Sequence, residues 1–386
     1  MVASQYPPVY GGAGGQAARL ARRLVAMGWS CRVVTLDQDR IGSTRQQYLH
    51  VSRLRANRND SSRIGRALSS LRLGLRSAVT VIRARPSAVH VHGIFWWTIP
   101  PVVAGRLVRS TVVIKATRDG DDDPRTVMAK RIGRFRVGAV YGLSLRLAHV
   151  IVVLNGESMQ SCRGLPCFEK VRQLPNGIEV NELRRTELRR ATARQKFGVP
   201  ADGFVITFVG FLAPHKGVGD LITAWEQWRS KESTQLWLVG PDSGFYRELS
   251  DDVVADARAL AGRDSRVQLL GHKPPDELPE IFWATDLYVL PSYAEGMPNS
   301  LLEALGAGCQ ILATDIPGII DIVDEQSAFL VRPGDVVGLV ENMRQAEAGV
   351  EKATHNIVAK IDIHHLAEIY DALYRRVEPS AKREVS

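Results

Sequence analysis

Cysteine is scarce in this sequence, and its scarcity excludes two ways of stabilising a fold. Four cysteines occur in 386 residues, too few and too scattered for a disulfide framework. The closest two, Cys162 and Cys167, lack a second pair or histidines at zinc-ligand spacing. We therefore expect all four to be buried thiols in a reducing compartment: Cys31, Cys162, Cys167 and Cys309.

Long hydrophobic runs are also missing, which argues against a membrane-spanning protein. The nearest approach to 18 consecutive apolar residues, from 137 to 154, is interrupted by Arg146 and His149. No secretory signal is recognisable in the sequence. We expect a cytoplasmic protein, and 45% hydrophobic with 24% charged residues over this length allows two domains with full cores.

Acidic residues are rare in the first half of the chain. Residues 1–180 hold 28 Lys and Arg against 10 Asp and Glu, a net charge of +18, whereas the remainder carries −9. A basic half attracts anionic lipid head groups, diphosphate-lipid acceptors or nucleic acid, although a solvated arginine-rich surface explains the same charge. Because no RNA- or DNA-binding module accompanies it, we expect an anionic membrane surface, and no nucleic acid, among the partners.

The stretch 292–308 sets two carboxylates into a region that otherwise predicts a buried helix. The predicted order is strand, loop, helix and strand, at 286–290, 295–298, 299–305 and 310–314. Asn299 or Ser300 is expected to cap the helix. Glu303 lies among leucines and alanines, and a buried carboxylate needs a hydrogen-bonding partner. The sequence offers two partners, a capping box with Ser300 or a ligand hydroxyl such as those of ribose.

A second candidate site lies where the strand predicted at 204–210 passes into the helix predicted at 218–229. Lys216 stands just before that helix, beside Gly217. An ammonium group and the free N–H groups of a helix start can jointly bind a diphosphate. A solvated loop lysine is the simpler alternative, and the motif at 292–308 favours the binding site.

Glycines open the helix predicted at 16–27 and make its N-terminus an expected anion site: Gly11, Gly12 and Gly14. With Ala17 and Asp37 they also match a dinucleotide-binding fingerprint. The preceding segment, 1–6, is too short for the strand that this fingerprint requires. Either the start is assigned too far downstream, or the sheet has a clipped central strand.

Two histidines follow one another at alternate positions of a strand predicted at 89–93. His90 and His92 point the same way, but no acidic or cysteine partner accompanies them as metal ligands would require. We expect a structural or acceptor-site role for them.

An acidic cluster follows the strand predicted at 111–116. After Arg118, three aspartates match the Asp-x-Asp spacing of a metal site, although a solvated loop or a helix cap is the commoner explanation: Asp119, Asp121 and Asp123. We therefore expect no metal here.

Helices are predicted at 63–83, 125–147 and 355–375, the last crossing back to the first domain. The first is studded with arginines and carries its apolar residues on one face: Ile64, Leu68, Leu71, Leu75, Val79 and Ile82. A surface helix is the ordinary reading of this pattern, and interfacial membrane docking is the alternative. From 204 onwards strands and helices alternate regularly, which predicts a parallel, doubly wound sheet with ligands at the carboxyl ends of its strands.

The pair Glu295 and Glu303, with Pro291 and Ser292 ahead of it, resembles the donor-site signature of retaining glycosyltransferase family 4, the glycogen-synthase-like family. The resemblance extends over most of the chain and is strongest from Phe204 to Pro333. It implies an α/β protein of the GT-B fold, in which two Rossmann-like doubly wound domains face each other across a cleft. The implied divisions are an acceptor-side domain, a nucleotide-sugar domain and a returning helix with its tail, at 1–180, 181–354 and 355–386.

The resemblance also implies roles for individual residues. Glu295 and Lys216 would be catalytic, Glu303 would bind the ribose, and no cofactor or metal would be needed because the sugar nucleotide is a substrate. Further donor contacts would come from Gly296, Met297, Pro298, Asn299, Ser300, Gly271, His272 and Lys273. The acceptor and phosphate loops would comprise Gly11, Gly12, Gly14, His92 and Arg118.

At two positions the sequence departs from the family. Phe211 stands where an arginine is usual, and Arg118 with its aspartates stands where many members place a histidine.

The resemblance implies a reaction, and the departures keep alternatives open. The expected reaction transfers a sugar, with retention, from a nucleoside-diphosphate sugar to a polysaccharide precursor or a glycolipid at the cytoplasmic face of a membrane. One alternative is a sugar-nucleotide epimerase or hydrolase of the same architecture. Another is a catalytically degenerate relative that binds membranes or polyanions, which Phe211 and the basic first half would favour.

Overall fold

A computed structural model shows two compact units. The structure describes residues 1–8, 12–37, 41–56, 63–117, 122–131, 137–228, 230–243 and 249–375. One unit comprises Met1–Gly177 and the chain from Ile363 onwards, and the other comprises Ile178–Asp362. Each unit is built on a parallel sheet covered by helices, as the alternating pattern predicts.

Within the described residues, the sheet of the first unit is built from β1 (Cys31–Asp37), β2 (Thr44–Arg45), β3 (Leu49–Arg55), β4 (Ala88–His92), β5 (Thr111–Lys115), β6 (Val150–Val153) and β7 (Val171–Gln173). Strands β1 and β3 pair in parallel, the short β2 is antiparallel to β3, and β4 to β7 follow one another in parallel.

A single residue near the start of the chain joins the two parts of this sheet. Val2 bridges Val34 of β1 and Val91 of β4, both in parallel. Its N–H donates to the His90 carbonyl, and its own carbonyl accepts from the N–H of His92, both at 2.9 Å. Residues 1–3 therefore lie between β1 and β4 in the sheet.

In the described part of this unit, the helices around the sheet are α1 (Gly12–Ala26), α2 (Arg63–Ala84), α3 (Ile99–Leu107), α4 (Pro124–Ala129), α5 (Gly138–Leu147), α6 (Gly156–Ser161) and, from the end of the chain, α16 (Ile363–Arg375). The helix predicted at 125–147 is wrong in its continuity, because Lys130 adopts an extended conformation (φ −61°, ψ 135°) that ends α4. The prediction at 355–375 fails in the same way, because Asp362 is extended and precedes α16.

The second unit has six strands in the order β10-β9-β8-β11-β12-β13, all parallel. These are β8 (Phe204–Val209), β9 (Thr234–Val239), β10 (Val267–Gly271), β11 (Leu287–Leu290), β12 (Gln310–Thr314) and β13 (Phe329–Val331). The chain order reverses on either side of β8, so the carboxyl ends of β8 and β11 meet where ligands bind in open α/β sheets.

Helices precede, connect and follow these strands: α7 (Val180–Leu183), α8 (Glu187–Lys196), α9 (Val218–Gln227), α10 (Asp251–Arg263), α11 (Leu278–Ala284), α12 (Asn299–Ala307), α13 (Pro317–Ile320), α14 (Val336–Glu347) and α15 (His355–Val358). The apolar strands are almost wholly buried, as parallel strands covered on both faces must be. Among the described residues, no helix is long and apolar enough to cross a membrane.

Candidate active site

Glu295 and Lys216 meet at the carboxyl edge of the second sheet. The Lys216 Nζ donates to Glu295 Oε1 at 2.7 Å, and the Ser292 hydroxyl donates to the same oxygen at 2.7 Å. Their side chains are only 7% (Glu295) and 19% (Lys216) exposed. The two residues that the sequence singled out therefore form one ion pair, most of which is shielded from water.

The backbones of the two loops that carry this pair lie in close contact. Gly217 has φ +67°, and a Cβ at this position would lie 1.9 Å from the Pro291 carbonyl oxygen. Beside it, the N–H of Tyr293 donates to the His215 carbonyl at 2.8 Å. Glycine at 217 is needed both for its left-handed conformation and for this close approach.

The end of β12 supports the same loop from the other side. The Thr314 hydroxyl donates to the Ser292 carbonyl at 2.6 Å. A Cβ at Gly318 would lie 2.0 Å from the Glu295 carbonyl oxygen, so the backbone at residue 295 rests directly on α13. Glu295 is thus held by contacts from three successive strand ends rather than by its own loop alone.

Helix α12 begins two residues earlier than a Ser300 cap would require. Pro298 is its N-cap residue, and no side chain caps it. Ser300 lies inside the helix, where its Oγ accepts a hydrogen bond from the Tyr288 hydroxyl at 2.7 Å. The capping box with Glu303 is therefore wrong, because the proline before Asn299 already starts the helix.

Glu303 itself is buried on α12, as its apolar neighbours predict. The helix ends at Gly308, whose φ of +79° is the left-handed conformation expected of a C-terminal glycine. Of the loop residues before α12, Met297 and Pro298 are also buried, whereas Glu295 and Gly296 are intermediate.

The segment 271–273 lies farther along the same edge, at the end of β10. Gly271 has φ +67°, and its carbonyl accepts from the N–H of Gly240, which follows β9. His272 is exposed, and Lys273 pairs with Glu277 at 3.8 Å. Strand β9 separates β10 from β8, so these residues are one strand removed from the loop that carries Lys216.

In the first unit, Gly12 and Gly14 belong to the first turn of α1. The helix begins at Gly12, four residues before its predicted start, and a Cβ at Gly14 would lie 2.5 Å from the Gln5 carbonyl oxygen. Asp37 accepts from the backbone N–H groups of Ile41 and Gly42, at 2.8 and 2.9 Å, and so closes its own loop. Gly11 and Arg118 lie outside the described residues.

His92 lies in a buried polar cluster beneath α16, not on an open surface. Its ring stacks on that of His90 at a centroid distance of 4.3 Å, and among the described residues neither of its nitrogens has a hydrogen-bond partner. The other ring is anchored, since His90 Nδ1 lies 2.7 Å from the Tyr374 hydroxyl. Burial lowers the pKa of both imidazoles well below 6.5, so both rings are neutral at pH 7.

Lys115 completes this cluster, and sequence reasoning missed it. It pairs in register with His92 on the neighbouring strand and donates to Asn176 Oδ1 at 2.9 Å. Complete burial lowers the pKa of its ammonium group to about 7. The sequence does mark this lysine, because Lys115 is the one polar residue in the run 112–116, which is otherwise apolar.

The aspartates after β5 hold loops together. Asp122 accepts from the N–H groups of Ile94 and Thr117, at 3.2 and 2.9 Å, and so ties the loop after β4 to the loop after β5. Asp123 caps α4 and accepts from the Ser161 hydroxyl at 2.8 Å. Asp119 and Asp121 lie outside the described residues, and within those residues no group of three His, Cys, Asp or Glu could hold a metal ion.

Two family models match consecutive parts of the chain. Residues 11–177 match the glycosyl transferase 4-like domain, and residues 203–347 match glycosyl transferases group 1. The two models describe glycosyltransferases and together cover most of the chain, which is therefore a glycosyltransferase. The boundaries of the two matches lie inside the two units of the structure, one match in each.

Relatives and solved structures of this glycosyltransferase agree with that assignment. TuaC of Bacillus subtilis, named as a glycosyltransferase of teichuronic acid biosynthesis, is 24% identical over 52% of this chain and 47% of its own length. The 2-deoxystreptamine glucosyltransferase of Streptomyces kanamyceticus is 27% identical over 75% of this chain and 76% of its own. The match thus spans about half of the first relative and three quarters of the second.

The fold is shared with HepE of Anabaena, whose structure was solved in complex with UDP and glucose. The two chains superpose with a TM-score of 0.71 at 19% identity, over 97% of this chain and 98% of HepE. The GT-B fold predicted from the sequence is confirmed.

Proposed function

We propose that this glycosyltransferase moves a sugar, with retention of configuration, from a nucleoside-diphosphate sugar to a polysaccharide precursor or a glycolipid. The observation that carries the proposal is the Lys216–Glu295 pair, held at the strand edge where ligands bind. It sets a cation and a hydrogen-bond acceptor side by side, which a phosphorylated sugar requires of its binding site.

Each member of the pair has a separate task. The ammonium group of Lys216 stands before the start of α9, so charge and helix dipole together would stabilise the diphosphate as it leaves. The carboxylate of Glu295 would accept hydrogen bonds from hydroxyl groups of the transferred sugar. Glu303 would accept from the ribose hydroxyls. With these groups in place we propose catalysis without a metal cofactor, so activity should survive EDTA.

The substrates follow from this chemistry and from the relatives. HepE was solved with UDP and glucose, and TuaC is named for teichuronic acid biosynthesis. A UDP-sugar is therefore the first donor to test. We place the acceptor on the side of the basic unit and the reaction at the cytoplasmic face of a membrane.

The test measures the binding and consumption of UDP-, GDP-, ADP- and dTDP-sugars by the wild-type protein and by Glu295→Ala and Lys216→Ala. We expect one donor to be consumed in an acceptor-dependent way, and each variant to lose at least about 100-fold in turnover, as the removal of one charge-stabilising group does elsewhere. Anomeric configuration of the product, read by NMR, tests retention.

A matched control is provided by a surface ion pair of the same unit. Lys196 and Glu280 also pair, but their side chains are 56% and 37% exposed. Lys196→Ala and Glu280→Ala should keep wild-type turnover. Full activity of folded Glu295→Ala would contradict the proposed site. Donor consumption that needs no acceptor would instead indicate a hydrolase or an epimerase, and failure of all donors to bind would overturn the proposal.

A further inference from the structure

Helix α2 exposes a continuous apolar stripe to solvent. Six large aliphatic side chains, each between 39% and 75% exposed, recur at three- and four-residue intervals along its 22 residues: Ile64, Leu68, Leu71, Leu75, Val79 and Ile82. At 1.5 Å per residue the helix is about 33 Å long. A helix of a globular protein ordinarily turns such a stripe towards the core.

The opposite face of α2 is the one that packs on the unit. Leu73, Ser77 and Val81 are buried there. Gly74 lies so close to the loop before α3 that a Cβ would stand 2.7 Å from the Trp97 carbonyl oxygen. Because α2 is anchored by this face, the outward stripe, residues 64–82 as named above, contributes nothing to the core of the described unit.

The charged residues of α2, and of the chain that follows it up to 118, are all basic. The sequence from 61 to 118 contains nine arginines, one lysine and no acidic residue. By the 100° rotation per residue of an α-helix, Arg72, Arg76 and Arg83 form a row directly beside the stripe, and all three are exposed. An apolar stripe bordered by cations fits the boundary between acyl chains and anionic head groups.

The same charge argues against a second copy of the chain as the occupant. Two α2 helices packed stripe to stripe would bring their arginine rows together without any acidic residue on either helix to neutralise them. Like charges placed across an interface oppose association. An anionic surface removes this repulsion, whereas a copy of the same helix cannot.

We propose that α2 docks the protein on an anionic bilayer, with the helix lying in the plane of the interface, the stripe inserted and the arginine row on the head groups. The inference goes beyond the transfer reaction and does not depend on it. A polyisoprenoid or glycolipid acceptor would then be reached at the same surface, but docking requires only anionic lipid.

The experiment is co-sedimentation of the full chain with vesicles of phosphatidylcholine and phosphatidylglycerol at three to one, compared with pure phosphatidylcholine. We expect binding to the anionic vesicles alone, weakening as salt rises from 50 to 500 mM. Replacing the arginine row, Arg72→Gln/Arg76→Gln/Arg83→Gln, should lower the partition constant on the order of 100-fold, at about 1 kcal/mol for each arginine.

The stripe is tested by Leu71→Ser/Leu75→Ser/Val79→Ser, which should weaken binding at least roughly tenfold by removing inserted apolar area. The matched control is Leu188→Ser/Val337→Ser, which replaces side chains 77% and 75% exposed on the other unit. This control should bind vesicles like the wild type. Neither set touches the proposed catalytic pair, so donor consumption in solution should be unchanged in all variants.

Three results would overturn the proposal. These are absence of wild-type binding to the anionic vesicles, equal binding by the stripe variant and the control, and self-association of the wild type that the stripe variant abolishes without any vesicle binding. The last would assign the stripe to a second copy. Loss of sugar transfer with intact vesicle binding would count against the proposed reaction and leave the docking surface standing.

Discussion

Each unit buries a lysine at the carboxyl edge of its parallel sheet, but the two lysines have opposite surroundings. Lys216 faces a carboxylate, Glu295, that also receives a hydroxyl group from Ser292. Lys115 faces two neutral imidazoles and the amide oxygen of Asn176. A buried charge is retained only where it is paired. The first edge pairs its charges, whereas burial at the second lowers the pKa of Lys115 to about 7.

The buried cluster of His90, His92 and Lys115 lies beside α16, the last helix of the chain. His90 and Thr111 hold Tyr374 of α16, the first through its hydroxyl and the second through its carbonyl. On the next turn, Trp29 donates to Asp371 at 2.7 Å. These contacts fasten the last helix to the unit that begins the chain.

The largest expected effect comes from breaking the charged pair. Glu295→Ala leaves a mostly buried ammonium group without its partner, and we expect a loss of about 3 to 5 kcal/mol in the free energy of unfolding. The double variant Lys216→Met/Glu295→Leu should recover most of that loss, because it removes both charges. Urea unfolding at pH 7 measures both.

This comparison separates stability from catalysis. The double variant should be stable and still inactive, whereas a purely structural pair would give a stable and active enzyme. Equal unfolding free energies for Glu295→Ala and the wild type would show that the pair is solvated rather than shielded.

A smaller effect is expected at Lys115, where substitution removes a gain in the free energy of unfolding that the wild type shows as the pH rises. The pKa of Lys115 is about 7 when folded and about 10.4 when unfolded, so between these values the unfolded chain binds the extra proton and stability rises with pH. From pH 7 to pH 9 this contributes about 2 to 3 kcal/mol in the wild type. Lys115→Met should lack that rise.

The measurement is urea unfolding of both proteins at pH 7, 8 and 9. Lys360→Met, at an exposed position, is the control and should follow the wild type. A Lys115→Met profile that rises as steeply as the wild type would mean that Lys115 stays charged in the folded protein.

The smallest effect is expected at His92. Because its folded pKa lies well below 6.5, only the unfolded chain gains a proton as the pH falls below about 6.5, and stability is lost in that range. Between pH 7 and pH 5, His92→Phe should lose about 1 to 2 kcal/mol less than the wild type. His365→Phe, exposed on α16, should lose as much as the wild type. An unchanged slope in His92→Phe would show that the imidazole reaches solvent.

Local sequence predicted the elements around Glu295 well. Apolar alternation, Pro298 and Gly308 are properties of neighbouring residues, and they place the strand, the loop and the helix to within a residue or two. The breaks at Lys130 and Asp362 were missed because neither position carries a proline or a glycine to mark it. The cap of α12 was misassigned because Pro298 starts the helix without a side-chain hydrogen bond.

The sequence by itself determined the alternation of strands and helices, the GT-B fold through its motifs, and the residue types at the candidate site. Only the tertiary structure decided that Lys216 and Glu295 touch, that Lys115 is buried with no carboxylate partner among the described residues, and that the apolar stripe of α2 faces outward. The physical reason is how far apart along the chain the residues lie that determine each feature. Helices and strands follow from residues up to four apart, whereas a contact across 79 positions of the chain, or the direction in which a helix face points, depends on how whole elements pack.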